Sequence, residues 1–86
     1  MSVYKFLEIS TIHIPAPTVP ESKLIEPYVI AEYNEGYFLY VPTTDEYNNC
    51  PSWLVSIFEK AVENDCYHIR IDCDGDDHDD LIKFDW

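Results

Sequence analysis

Six aspartates fall within nine positions in Asp72-Cys73-Asp74-Gly75-Asp76-Asp77-His78-Asp79-Asp80. Carboxylate oxygens at this density are the ligands that hard cations such as Ca²⁺ select. The spacing argues against a built calcium loop. Such a loop needs glycine at its sixth position and glutamate at its twelfth; counted from Asp72, Gly75 is fourth and Lys83 twelfth. The run therefore reads as a solvated acidic loop, and no metal is expected there. Among softer ligands, Cys66, His68 and Cys73 lie close together, with His13 and His78 as further candidates. On a strand, Cys66 and His68 share one face and Cys73 takes the other, which leaves a tetrahedral zinc site short of ligands. Nucleophilic chemistry would use Ser10 or Cys50 with a histidine. The chain lacks a glycine-flanked nucleophile elbow and has two glycines in all. Acid–base catalysis needs two carboxyls in different environments, which abundance alone does not create. These residues predict no enzyme and no cofactor.

What remains is charge. Seventeen Asp and Glu face five Lys and Arg in 86 residues, for a net charge of −12. Yet 47% of the chain is hydrophobic and 15% aromatic, which marks a folded domain rather than a disordered acidic tail. A folded domain with this charge repels itself, and a cationic partner would offset the cost. The sign argues against direct binding to nucleic acid or to an anionic membrane. It allows imitation of a nucleic acid. B-DNA carries one charge per about 1.7 Å of axis, so twelve net charges match roughly 20 Å of duplex. The expectation is an inhibitor that occupies the cationic groove of a basic host protein that handles nucleic acid. The candidate contact residues are Asp72, Asp74, Asp76, Asp77, Asp79 and Asp80, with Glu32, Glu35, Asp45 and Glu46. Tyr37, Tyr40 and Tyr47 are candidate rim contacts, with sheet packing as their other reading. The alternative is an adaptor or antitoxin that binds through an apolar sheet face without mimicry. A small metal-dependent enzyme is a third class.

These side chains must be positioned by a small fold. Residues 3–14 alternate as a first strand, with Leu7 and Ile9 on one face and Phe6 and Glu8 on the other. Pro15, Pro17 and Pro20 break it. Residues 20–26 suit one or two helical turns with Leu24 and Ile25 inward, ended by Pro27. Residues 28–33 and 37–41 predict a hairpin, joined by Asn34-Glu35-Gly36 with Gly36 able to take positive φ. A polar loop spans 43–51. From Ser52 or Pro51 onward, Trp53, Leu54, Ile57, Phe58, Ala61 and Val62 recur at spacings of three and four, which predicts an amphipathic helix stopped at Asn64-Asp65. Residues 66–72 predict a last strand with Tyr67, Ile69 and Ile71 on one face. The sum is a single acidic α+β domain over 1–86: a mainly antiparallel sheet of about four strands with one principal helix on one face. Its expected core is Leu7, Ile9, Ile30, Leu39, Leu54, Ile57, Phe58, Ala61, Ile69 and Ile71.

Three stretches carry a resemblance. They are Ile9-Ser10-Thr11-Ile12-His13-Ile14, the hairpin from Tyr33 to Pro42, and an ending of Asp72-Cys73-Asp74 followed by Leu81-Ile82-Lys83-Phe84-Asp85-Trp86. On these the chain resembles a family of short bacterial proteins of unknown function carried on phages, plasmids and genomic islands. It departs from the family pattern at Ile82, in place of Pro, and in its extra aspartates. The resemblance implies mobile-element biology and supplies no activity. The cysteine count is odd, and no secretory leader or apolar run of roughly 20 residues is visible. Reduced thiols and a cytoplasmic location are therefore expected.

Overall fold

The alternation of large apolar and polar residues decides where each strand can sit. A computed structural model describes residues 6–16 and 18–84. Four strands form one sheet: β1 (Phe6–Ser10), β2 (Val29–Tyr33), β3 (Gly36–Tyr40) and β4 (His68–Asp72). Their spatial order is β1-β4-β3-β2. The β1–β4 pair is parallel, and the β4–β3 and β3–β2 pairs are antiparallel. The fold is thus α+β with a mostly antiparallel sheet, as the patterns predict.

Register places the apolar residues on one face. Leu7 pairs Ile69 and Ile9 pairs Ile71; Leu39 pairs Ile69 and Tyr37 pairs Ile71. Against this face lie a four-residue helix α1 (Thr44–Tyr47) and the principal helix α2 (Ser52–Glu63). Trp53, Leu54, Ile57, Phe58 and Ala61 of α2 join Leu7, Ile9, Leu39, Ile69 and Ile71 in one buried cluster. Pro51 precedes the first turn, where a missing N–H costs nothing. Asn64 closes the helix, and Asp65 follows in the left-handed region at φ 57°.

Several expectations need correction. The first strand does not run from 3 to 14; residues 3–5 lie outside the described residues, and β1 ends at Ser10. There the Ser10 hydroxyl accepts the Ile12 N–H at 3.3 Å and a 3₁₀ turn forms over Thr11–His13. A short hydroxyl side chain offers the backbone this alternative to a ladder. Ile30 is no core residue. A bulge between Val29 and Ala31 shifts the β2 register, and Ile30 is 55% exposed. The helical segment is a 3₁₀ stretch, Pro20–Tyr28, that buries Ile25, exposes Leu24 and carries Pro27 inside it. The hairpin connection is two residues, because Gly36 pairs Tyr33 within the ladder. No described glycine has positive φ. Gly36 is needed for space instead, since a β-carbon there would collide with the Ile71 carbonyl. Tyr67 precedes β4 and is 71% exposed rather than packed beside Ile69. Val62 also faces solvent. The polar loop 43–51 holds α1, whose Tyr47 is buried against Phe58.

Candidate functional site

The acidic segment leaves the C-terminal end of β4, beside the ends of β1 and the β2–β3 turn. It is fixed backbone rather than a free connection. The Cys73 N–H donates to the Glu35 carbonyl at 2.9 Å, and the Gly75 N–H to the Asp72 carbonyl at 2.9 Å. Gly75 then passes so close to the Ile9 carbonyl that a β-carbon would clash. The Ser10 N–H donates to the Asp76 carbonyl at 2.9 Å. Two histidines complete the attachment. His13 is fully buried and uses both ring nitrogens. Its Nε2 accepts the His78 backbone N–H at 3.0 Å, so its Nδ1–H donates to the Ile82 carbonyl at 2.9 Å. The His78 ring donates from Nε2 to the Glu8 carbonyl at 2.9 Å. Residues 75–78 therefore cover part of the outer edge of β1, and the Phe84 N–H closes onto the Ile12 carbonyl at 2.7 Å.

Not every aspartate in the run is displayed. Asp72 is buried, and its carboxylate is consumed internally. Its Oδ1 accepts the Asp74 N–H at 2.8 Å. Its Oδ2 accepts the Tyr33 hydroxyl at 2.8 Å and Arg70 Nη2 at 3.3 Å. The Asp74 N–H, the Tyr33 hydroxyl and Arg70 together hold its carboxyl below the usual range, against the opposing effect of burial. Tyr33 can reach Asp72 because Gly36, which separates them in the pairing register, has no side chain. Burial pushes the Cys73 thiol up, and the charges of Asp74, Asp72 and Glu35 push it further. Asp72, Cys73 and Asp74 each bring a ligand atom within 4.8 Å of the others, but this environment resists the thiolate that metal ligation requires.

Asp74, Asp76, Asp77, Asp79 and Asp80 are exposed. The ion pairs among the described residues are Lys60–Asp80 at 2.7 Å, Arg70–Asp72 at 3.3 Å and Lys83–Asp79 at 3.2 Å. Lys60 holds the Asp80 carboxyl below its ordinary range. Asp79 and Asp80 are thus ion-paired, Asp80 with the flank of α2, whereas Asp74, Asp76 and Asp77 take part in none of these pairs. Exposed Glu32 and Glu35 border the same hollow of about 200 Å³ as Cys73. Asp45 and Glu46 are elsewhere. They sit on α1, which follows the far end of β3. The candidate set therefore separates into a main group around the 72–80 segment and an outlying pair. Of the tyrosines, Tyr40 is exposed, Tyr37 half-buried and Tyr47 buried.

The sequence reading missed the supports. His13, His78, Tyr33 and Arg70 hold the segment in place. His13 carried a signal, as a titratable residue within an apolar stretch before Ile14-Pro15. The partners of the other three depend on tertiary pairing. Cys66 and Cys73 flank opposite ends of β4, so the strand separates them.

Comparisons with curated proteins and with solved structures give no match. A family model does match, over residues 6–86, and takes in every strand, both helices and the acidic segment. The chain belongs to a family of unknown function, DUF5983, and corresponds to that family's C-terminal domain.

Proposed function

We propose that this chain is a phage or mobile-element inhibitor that binds a host nucleic-acid-handling protein, of CRISPR or restriction type, by presenting carboxylates where phosphates would lie. The observation that carries this reading is the fixed backbone under Asp74, Asp76 and Asp77, attached to β1 by Ser10 and His78 and to the turn after it by His13. A preorganised array loses less entropy on docking than a mobile tail. Its charges steer encounter with a cationic groove. The roughly 20 Å of duplex equivalent to twelve charges fits a molecule measuring 40 × 28 × 25 Å. The role requires no catalysis, cofactor or membrane.

The test begins with host proteins captured on the immobilised chain and then purified. Asp74, Asp76, Asp77, Asp79 and Asp80 are replaced by Asn together. Exposed pairs contribute about 0.2–1 kcal/mol each, so five give roughly 1–5 kcal/mol of lost binding if they add. Duplex DNA should compete with the parent, and binding should weaken steeply with salt. His78→Ala leaves every carboxylate but removes one attachment, and should also weaken binding. Equal binding by the five-fold variant, indifferent to salt and to duplex, would refute mimicry.

A further inference from the structure

The helices pack on one face of the sheet, and among the described residues no helix packs across the other. Register lays three rows across it: Phe6–His68–Tyr40, Glu8–Arg70–Phe38–Ala31, and Ser10–Asp72–Gly36–Tyr33. Phe6, Phe38 and Tyr33 form a connected platform, while the exposed Tyr40 ring, in the same row as Phe6, packs edge-on against Tyr28 at 5.8 Å. Phe6 meets Phe38 edge-on with centroids 6.1 Å apart, and Phe38 meets Tyr33 at 5.7 Å. The Arg70 guanidinium lies 5.7 Å from the Tyr33 centroid and 5.8 Å from that of Phe38. Phe6 is 46% exposed and Tyr40 39%. Connected aromatic rings around an arginine are the composition of a binding hot spot.

Charge identifies the occupant. Arg70 is ion-paired with Asp72 and also faces Glu8 across the β1–β4 pair, though Glu8 makes no ion-pair contact with a described residue. Beyond the β1 edge of the face runs the acidic segment, bonded to Glu8 and Ser10. The surface is therefore an aromatic centre with a negative rim along one side. A phosphate backbone is repelled by that rim. A second copy brings the same −12 charge against it. We infer that this face binds a basic segment of a protein, which seats an apolar side chain among Phe6, Phe38 and Tyr40 and lays Lys or Arg over Glu8 toward residues 75–78. This inference is independent of mimicry, since the partner need not handle nucleic acid.

The probe is a synthetic peptide, Lys-Lys-Trp-Lys-Lys, titrated into the ¹⁵N-labelled chain and followed by amide shifts. Its controls are the same peptide with Ala for Trp and a single-stranded oligonucleotide. The expected result is movement of the Phe6, Phe38, Tyr40 and Arg70 amides, with binding at least tenfold weaker for the Ala peptide. Phe6→Ala should lose about tenfold; Tyr40→Ala repeats the test if Phe6→Ala fails to fold. The five-fold Asn variant should keep the same shifted residues at lower affinity, which separates this inference from mimicry. Equal binding of both peptides, with shifts confined to 74–80, overturns it. So does absence of Trp-peptide binding at millimolar concentration, or preferential binding of the oligonucleotide to the face.

Discussion

Asp72 shows how much a single carboxylate can be asked to do. It terminates the hydrogen-bonding potential of the Asp74 N–H, orients Tyr33 and neutralises Arg70. Because these partners favour its ionised form, its folded pKa lies below the unfolded value of about 3.9. The stability it contributes is therefore complete above that unfolded value and is lost as pH falls through the lower folded one. Urea midpoints of the parent and Asp72→Asn should differ most at neutral pH and converge below about pH 4. A constant gap down to pH 2 would show that the charge of Asp72 contributes nothing. The run of aspartates concealed this role. In sequence Asp72 looks like its neighbours; only the strand that ends on it turns its side chain toward Tyr33 and Arg70.

At the scale of elements, the helix α2 and the inward faces of β1, β3 and β4 were legible because their periods of 3.6 and 2 extend over enough residues to be distinctive. Trp53, Leu54, Ile57, Phe58 and Ala61 repeat over three turns, and each is buried. Ile30 was misread because a bulge is a matter of pairing, and nothing in Tyr28-Val29-Ile30-Ala31 states which residue is left unpaired. The early end of β1 was visible in principle at Ser10, whose hydroxyl starts the 3₁₀ turn. Of the candidate site, the exposed aspartates were legible from composition. Their attachment was not, because His13 and His78 lie 65 residues apart and meet only in the fold. The C-terminal end of α2 offers its own test. Asp65 occupies the left-handed region at φ 57°, and it adds negative charge near the negative end of the helix dipole. Asp65→Gly relieves both and should raise stability by about 1 kcal/mol. Thermal unfolding should show a higher midpoint; a lower one would mean that the aspartate makes compensating contacts.

Taken as a whole, the molecule concentrates twelve net charges within 40 × 28 × 25 Å. Screening length falls from about 10 Å at 0.1 M salt to about 3 Å at 1 M, so added salt should stabilise the fold. The unfolding midpoint should rise between 10 mM and 0.5 M NaCl, and the five-fold Asn variant should show a shallower rise. A midpoint independent of salt would mean that self-repulsion of the net charge does not limit the stability of the fold. The order of strands has a consequence in time as well. β4 bonds both β1 and β3, yet it follows them in the chain. On a ribosome adding roughly 5–20 residues per second, β1 emerges several seconds before β4, its strand partner among the described residues. The hairpin and α2 can form during that interval, but the sheet cannot close. Closure of the sheet thus waits until His68–Asp72 has been made, and a nascent chain halted before His68 would expose Leu7 and Ile9 to chaperones.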